Sequence, residues 1–128
     1  MYKVTASIDT DHFKTVIDSD NNTLIADEPD TLGGRGKGFS PGELLASALA
    51  SCITITLRMY ADRKEWPLER IEADVAIERD EINNVTKIRK TIKLFGDLNE
   101  AQRQRLMGIA DKCPIHKILA NPIEIKAL

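Results

Sequence analysis

The sequence predicts an α+β fold in which antiparallel strands and a small number of helices form separate groups. Three short strand-like segments come first, a long apolar helix follows, and two longer alternating segments come next. Two shorter helices and a last strand complete the predicted order βββ-α-ββ-αα-β. Because strands and helices do not alternate along the chain, the pattern favours α+β over a parallel α/β sheet.

The N-terminal third is typical of a β-meander. Residues 2–9 alternate between polar and apolar side chains, and residues 12–18 and 23–27 are further short strand segments. The turn at 18–22 is rich in Asp and Asn, whose side chains hydrogen-bond nearby backbone groups and so favour hairpins. The segment at 28–39 holds four of the seven glycines, and we expect a loop that is mobile or that approaches a ligand or a partner backbone closely.

A long helix is predicted over residues 41–64. Ser40 is the candidate N-cap, Pro41 suits the first helical position and Glu43 completes a capping box. The 14 residues at 44–57 carry no charge, and this run is shorter than the ~18 residues needed to cross a bilayer, so we expect a buried helix. One meander cannot cover such an apolar helix on all sides, and a second subunit is therefore expected to cover the rest.

The C-terminal half is predicted to contain two strands, two helices and a last strand. The two strands, at 71–78 and 87–95, each have one wet face. The next helix has Asn99 as its N-cap and Gln102 in its capping box. A short helix at 114–120 and a strand at 123–126 follow. The apolar stripe of the first of these helices consists of Leu106, Ile109, Ala110 and Cys113.

The length, charge and composition of the chain argue against several classes of function. A chain of 128 residues fits a single domain over 1–128, and its net charge of -2 argues against a nucleic-acid partner. No signal peptide or membrane span is predicted, and the glycine-rich segment lacks the Gly-Lys-Ser/Thr motif of a phosphate-binding loop. Two cysteines are too few for a secreted disulfide scaffold, so we expect the cytoplasm.

Cys52 and Cys113 are the candidate residues for chemistry. By residue type alone, Cys52 in the middle of the long helix fits an inert core thiol. Cys113 is the predicted N-cap of the short helix, where the helix dipole favours a thiolate, although a structural Cys-Pro junction has the same sequence. His116 fits either a base for Cys113 or a packed residue. His12, His116 and the two cysteines lack the local spacing of a metal site, so no metal is expected.

Two segments of the chain resemble the OsmC/Ohr family. Residues 40–52, Ser-Pro-Gly-Glu-Leu-Leu-Ala-Ser-Ala-Leu-Ala-Ser-Cys, resemble the family's Pro-x-Glu-Leu opening and the small-residue helix that leads to its first catalytic cysteine. Residues 110–119, Ala-Asp-Lys-Cys-Pro-Ile-His-Lys-Ile-Leu, resemble the family's second motif, a Cys-Pro followed by a short helix. The order of predicted elements is also similar, so the resemblance covers nearly the whole chain.

The resemblance implies a fold, a dimer and a reaction. The family fold is an intertwined homodimer whose antiparallel sheets wrap long central helices. Cys52 is implied to attack an organic or inorganic hydroperoxide, and Cys113 is implied to resolve the product as a disulfide. The family also uses an Arg–Glu pair, which Arg35 and Glu43 match here. Arg35 would stabilise the Cys52 thiolate, and Glu43 would orient the guanidinium. No cofactor is implied beyond an external thiol reductant, for which dihydrolipoamide is one candidate.

Three functions are weighed on these grounds. The first, which we favour, is a cytoplasmic thiol peroxidase whose apolar pocket selects alkyl hydroperoxides over hydrogen peroxide. The second is a non-catalytic OsmC-like dimer that binds a small apolar ligand or senses redox state. The third is a structural dimer whose thiols are unreactive. The residues expected in the pocket are Leu44, Leu45, Ala48 and Leu49, together with residues of the partner subunit.

Overall fold

The computed structural model describes residues 1–128 and contains two compact units, Met1–Leu45 and Ala46–Leu128. Antiparallel strand pairs and separate helices confirm the predicted α+β class. The single domain over 1–128 stays a prediction. The elements in chain order are β1 (Thr5–Ile8), β2 (Thr15–Asp18), β3 (Thr23–Ala26), α1 (Pro41–Lys64), β4 (Leu68–Asp80), β5 (Val85–Gly96), α2 (Glu100–Ala110) and α3 (Pro114–Leu119).

The first unit contains a three-stranded antiparallel sheet in the order β1-β2-β3. In its register Ile17 of β2 lies opposite Ala6 on one side and Leu24 on the other. The predicted turn after β2 is closed by a hydrogen bond of 2.8 Å from the backbone N–H of Ser19 to the carbonyl of Asn22. All three predicted strands are confirmed, and each is shorter than expected.

The second unit is built on a long β4–β5 hairpin. Its register runs from Leu68 opposite Gly96 to Asp80 opposite Val85. Asn84 in the connection has a φ of 54°, in the left-handed region that Asn adopts more readily than most residues. Both predicted strands are confirmed, and both extend beyond their predicted ends.

Helix α1 buries one face in the core of the second unit. This face joins an apolar cluster against which side chains of β4 and β5 pack. On the other side of the helix, Ile55 and Met59 are exposed. The helix is long and apolar enough to cross a membrane by length and composition, a test that the core helix of a soluble protein also passes. The buried cluster comprises Leu49, Ile53, Leu57, Tyr60, Ala61, Leu68, Leu98, Leu106, Ile109, Ala110 and Cys113.

Capping hydrogen bonds confirm the predicted helix starts. The backbone N–H of Ser40 donates to Oε1 of Glu43 at 2.9 Å, and the N–H of Glu43 donates to Oγ of Ser40 at 3.2 Å. Asn99 and Gln102 make the same reciprocal pair at the start of α2. Cys113 is the N-cap of α3, as predicted. These local patterns therefore fix where each helix begins.

The predicted last strand at 123–126 is wrong. These residues are exposed, and no strand of the chain pairs with them. Ile123 and Ile125 alternate with charged residues as a strand would. A strand forms only where a neighbour satisfies its N–H and C=O groups, and the alternating pattern alone does not supply that neighbour.

Candidate active site

The two thiols lie in the second unit on two different helices. Cys52 is half-buried in the middle of α1, and Cys113 is completely buried at the start of α3. Both are reduced. The side chain of Cys52 packs against the buried cluster that contains Cys113, and its Sγ lies 4.0 Å from Oγ1 of Thr56. The fold thus brings together two cysteines that are far apart in the sequence.

Burial raises the pKa of the Cys113 thiol above its ordinary value. The backbone N–H groups of His116 and Ile115 oppose this shift, while the neighbouring thiol of Cys52 adds to it. The expectation that the helix N-terminus favours a Cys113 thiolate is therefore wrong, because loss of hydration outweighs the two backbone donors. At neutral pH Cys113 is a neutral thiol.

The first turn of α3 holds Cys113 in place. Its Sγ accepts a hydrogen bond from the backbone N–H of His116 at 3.3 Å. The imidazole of His116 contacts β5 instead, with Nδ1 lying 3.4 Å from Nζ of Lys90. An ammonium group can only donate, so Nδ1 of His116 is the acceptor in this contact. His116 therefore contacts Cys113 through its backbone rather than as a base.

Lys90 also forms an ion pair beside the Cys113 segment. Its Nζ lies 2.6 Å from Oδ1 of Asp111, and this hydrogen bond lowers the pKa of Asp111. Asp111 precedes Cys113 in the chain and His116 follows it. Lys90 therefore connects β5 to the chain on both sides of the buried thiol.

A depression of about 250 Å³ opens beside the same segment. Leu49, which lies one turn before Cys52 on α1, forms part of its wall, and so does His116. The wall thus includes residues three positions along the chain from each cysteine, but neither cysteine itself, and most of its lining is apolar. The remaining lining residues are Thr86, Ile88, Lys90, Leu119 and Ala120.

Arg35 lies in the first unit, in the glycine-rich loop. Its backbone N–H lies 3.4 Å from Oδ2 of Asp27 and donates to it. Its role toward Cys52 stays a prediction. The side chain of Arg35 lines an open depression of about 340 Å³ together with Asp11, His12, Lys14, Ile25 and Lys37.

Asp27 is only 2% exposed, and its carboxylate accepts four backbone N–H groups. Oδ1 accepts from Phe13 at 3.0 Å and from Glu28 at 2.8 Å. Oδ2 accepts from Arg35 at 3.4 Å and from Lys37 at 3.1 Å. Burial opposes ionisation, but the four donors outweigh it and hold the pKa of Asp27 below its ordinary value. A buried carboxylate thus fixes the backbone of the loop that carries Arg35.

Glu43 lies in the first turn of α1. The backbone N–H of Ser40 donates to its carboxylate and holds the pKa of Glu43 below its ordinary value. The positive end of the helix dipole also favours a carboxylate at this position. Glu43 is therefore ionised at neutral pH, and its role as the partner of Arg35 stays a prediction.

Three charged residues near these sites were missed by the sequence analysis. Lys90 and Asp111 sit among other scattered charges, which are typical of a solvated surface. Asp27 carried a weak signal, because an Asp between a strand and a Pro-containing loop often anchors a turn. Its burial depends on donors from separate segments of the chain, and only the folded structure brings those segments together.

Comparisons with known proteins give one family and many similar structures. The model of the family OsmC-like protein matches residues 34–127. A Psychrobacter arcticus protein assigned to the osmotic stress and detoxification response is 25% identical, with TM-score 0.77, covering 92% of this chain and 88% of that one. An OsmC-like protein from Mycoplasma pneumoniae is 22% identical, with TM-score 0.79 and coverages of 94% and 88%. No curated protein sequence matches the chain.

The organic hydroperoxide resistance protein OhrB of Bacillus subtilis has the same fold. It is 24% identical, with TM-score 0.65, covering 98% of this chain and 95% of that one. The matched family segment at 34–127 contains both cysteine motifs, Arg35 and Glu43. The chain therefore belongs to the OsmC-like family, and the resemblance to OsmC/Ohr proteins is confirmed.

Proposed function

We propose that this protein is a soluble, cytoplasmic thiol peroxidase that reduces organic hydroperoxides through Cys52 and Cys113. The observation that carries the proposal is the packing of Cys52 against the buried cluster that contains Cys113, in the core of the second unit. Membership of a family that includes organic hydroperoxide resistance proteins supports the same reaction class. A metal or organic cofactor is not required by this chemistry.

The first step is attack of the Cys52 thiolate on the O–O bond of the hydroperoxide. A new S–O bond forms while the O–O bond breaks, and the alkoxide leaves as the alcohol after taking up a proton. Cys52 is oxidised to a sulfenic acid, and the peroxide is reduced. Cys52 is better suited to this step than Cys113, because it is half-buried while Cys113 is completely buried.

The second step joins the two cysteines. Sγ of Cys113 attacks the sulfur of the Cys52 sulfenic acid, an S–S bond forms, and hydroxide leaves as water with the thiol proton. Because burial raises the pKa of Cys113, its thiol is protonated at neutral pH and loses this proton as the S–S bond forms. An external dithiol, of which dihydrolipoamide is a candidate, then reduces the disulfide by thiol–disulfide exchange.

Arg35 and Glu43 are proposed to assist the first step, as the family's Arg–Glu pair does. A guanidinium stabilises a thiolate by charge pairing. A carboxylate holds a guanidinium in a bidentate pair. The ionised state of Glu43 supports this role, since its lowered pKa keeps it negative at neutral pH.

The substrate proposed is an alkyl hydroperoxide rather than hydrogen peroxide. The depression that Leu49 and His116 line, one helical turn from Cys52 and Cys113, has an apolar wall that also includes Ile88 and Leu119. Burial of an alkyl group against such a wall is favourable, and hydrogen peroxide has no alkyl group to bury. Turnover of cumene hydroperoxide is therefore expected to exceed that of hydrogen peroxide, and equal rates would refute the preference.

The reaction is tested with two single variants of the purified protein. Cys52→Ser is expected to consume no hydroperoxide with a dithiol donor. In the absence of added thiol, Cys113→Ser is expected to consume a single equivalent and to stop with Cys52 as a sulfenic acid, which dimedone labels. Wild-type protein that consumes no hydroperoxide with any thiol donor, and that carries a bound apolar ligand after purification, would favour the non-catalytic binding function instead.

We also propose that the active protein is a homodimer. Ile55 and Met59 are 54% and 66% exposed on the face of α1 opposite the core. They line a wide depression with Ile71, whose wall also includes Arg58, Glu69 and Arg70 but exposes mainly apolar surface, and this surface is available for a second subunit. In a single chain this area would stay in contact with water.

Light scattering of the eluting protein tests the dimer. The wild type is expected at twice the mass of one chain. Ile55→Glu is expected to shift it toward the monomer, since burying a carboxylate in an apolar interface is costly. Ala101→Glu, which adds the same charge on the exposed first turn of α2, is the control and is expected to leave the mass unchanged. A monomeric wild type would contradict the proposal.

A further inference from the structure

We infer that Asp27 is a positioning residue for Arg35, because its carboxylate fixes the loop backbone on both sides of Gly36. The inference rests on the proposed function, which gives Arg35 its role at Cys52. Asp27 acts through the backbone rather than on a substrate. All the contacts that support it lie in the first unit, within residues 13–39.

The four donors use the acceptor capacity of the carboxylate. An ionised carboxylate offers roughly four lone-pair positions, and here each oxygen accepts two backbone N–H groups. Asp27 therefore has little capacity left for a cationic side chain. Asp27 therefore affects Arg35 by fixing the position of its main chain.

The backbone of Gly36 makes this arrangement possible. Its φ of 63° lies in the left-handed region, which lets the N–H groups of the residues on either side converge on one anionic oxygen. Those residues are Arg35 and Lys37, and both donate to Oδ2 of Asp27. The N–H of Gly36 itself donates to the carbonyl of Glu28 at 3.0 Å. Three successive amides are thus fixed.

The rest of the loop is packed closely against the end of β3. A Cβ atom on Gly34 would overlap the carbonyl of Glu28, and one on Gly38 would overlap the carbonyl of Ile25. The N–H of Asp27 also donates to the carbonyl of Phe39 at 3.1 Å. The glycines therefore let the loop pack against the chain's own backbone, and its predicted approach to a ligand or a partner stays a prediction.

Asp27→Asn is the informative change, because it keeps the shape and alters the acceptors. An amide has one oxygen and one NH2 group. The two backbone N–H groups that now donate to one carboxylate oxygen would therefore face the NH2 group, which is itself a donor. The backbone at Arg35 or at Phe13 must then move. Asp30→Asn makes the same charge change at an exposed position of the same segment and is the matched control.

The experiment measures alkylation of Cys52 by monobromobimane as a function of pH, in a Cys113→Ser background. The proteins compared carry Asp27→Asn, Arg35→Ala, both changes, or Asp30→Asn. Peroxidase kcat/KM is measured for the same changes in the wild-type background. Because Asp27→Asn could prevent folding, Gly36→Ala is added, since no atom lies within 4 Å of the added methyl group.

Asp27→Asn is expected to slow alkylation at neutral pH by about 10-fold and to move the pH profile upward, as Arg35→Ala does. The double variant is expected to lose no more than Arg35→Ala alone, because both act through one group. Gly36→Ala is expected to shift the profile in the same direction by less. Asp30→Asn is expected to match the parent protein.

Two results would overturn the inference. One is alkylation of Cys52 in Asp27→Asn at the rate of the Asp30→Asn control. The other is a double variant whose loss of alkylation rate equals the product of the losses in Asp27→Asn and Arg35→Ala. If Asp27→Asn does not fold, an unchanged pH profile of Cys52 alkylation in Gly36→Ala would also overturn the inference. Failure of the proposed peroxidase function looks different, since the wild type would then consume no hydroperoxide while Asp27→Asn and Arg35→Ala still slow alkylation together. If Arg35→Ala has no effect on alkylation, Asp27 has nothing to position and the inference falls.

Discussion

The backbone N–H of His116 donates to Sγ of Cys113 over 3.3 Å, so the thiol proposed to resolve the sulfenic acid is also the N-cap of α3. One sulfur atom therefore has a structural contact and a chemical role. The contact places Sγ at a fixed point of the core, where it interacts with Cys52. The effects of a substitution at Cys113 on stability and on peroxidase activity must therefore be measured separately.

Cys113→Ala is expected to lower the free energy of unfolding by about 1 kcal/mol, because it removes the N-cap acceptor. Cys113→Ser retains an acceptor for the N–H of His116 and is expected to be more stable than Cys113→Ala. Urea denaturation under reducing conditions measures both. Equal stability of the two variants would show that the cap contributes nothing, and both are expected to lack the disulfide.

Two glycine-to-alanine changes are expected to have opposite effects on stability. Gly34→Ala forces a methyl group against the carbonyl of Glu28 and is expected to cost about 1–3 kcal/mol. Gly108→Ala, in α2, meets no atom within 4 Å and is expected to stabilise the protein by up to about 1 kcal/mol through helix propensity. Thermal unfolding of the two proteins side by side gives the comparison. A stable Gly34→Ala protein would mean that the loop is not packed as described.

Asp27 is expected to make stability fall in acid. Its pKa in the folded protein lies below the ordinary ~3.9, so its contribution is complete above that value and is lost as pH falls through the folded pKa. The difference in free energy of unfolding between wild type and Asp27→Asn should therefore be largest at neutral pH and shrink below about pH 4. Urea denaturation at a series of pH values tests this, with Asp30→Asn as the control. A difference that stays constant with pH would contradict the assignment.

Leu106→Ala is expected to cost about 2–5 kcal/mol of unfolding free energy, because Leu106 is fully buried in the core cluster. Met107→Ala, at the next position of α2, removes an exposed side chain and is expected to change stability by less than about 0.5 kcal/mol. Chemical denaturation of both variants is the measurement. Similar losses for the two would place Met107 in a buried interface, as a tight homodimer through α2 would.

Local sequence patterns predicted the elements whose stability depends on local contacts. The reciprocal caps at Ser40 and Asn99 and the cap at Cys113 lie within four residues of their partners, so the sequence contains them in full. The prediction of a strand at 123–126 was wrong for the opposite reason. Its alternation is visible, but its pairing partner is not part of any local pattern.

The site could be predicted only in part for the same reason. The two cysteine motifs identified Cys52 and Cys113 through their resemblance to a family. The state of Cys113 was misjudged, because the dipole of a short helix is a local feature while burial depends on the whole core. Lys90 lies opposite Asp111 and His116 only after β5 meets the ends of α2 and α3. Contacts of that kind have no signature in a single sequence.

The most direct test counts free thiols in the reduced protein before and after one equivalent of cumene hydroperoxide. A redox pair formed by Cys52 and Cys113 predicts that both thiols of each chain disappear together and that a single disulfide-linked peptide joins the two residues. A thiol count that does not change, or the loss of Cys113 alone, would contradict the proposed peroxidase.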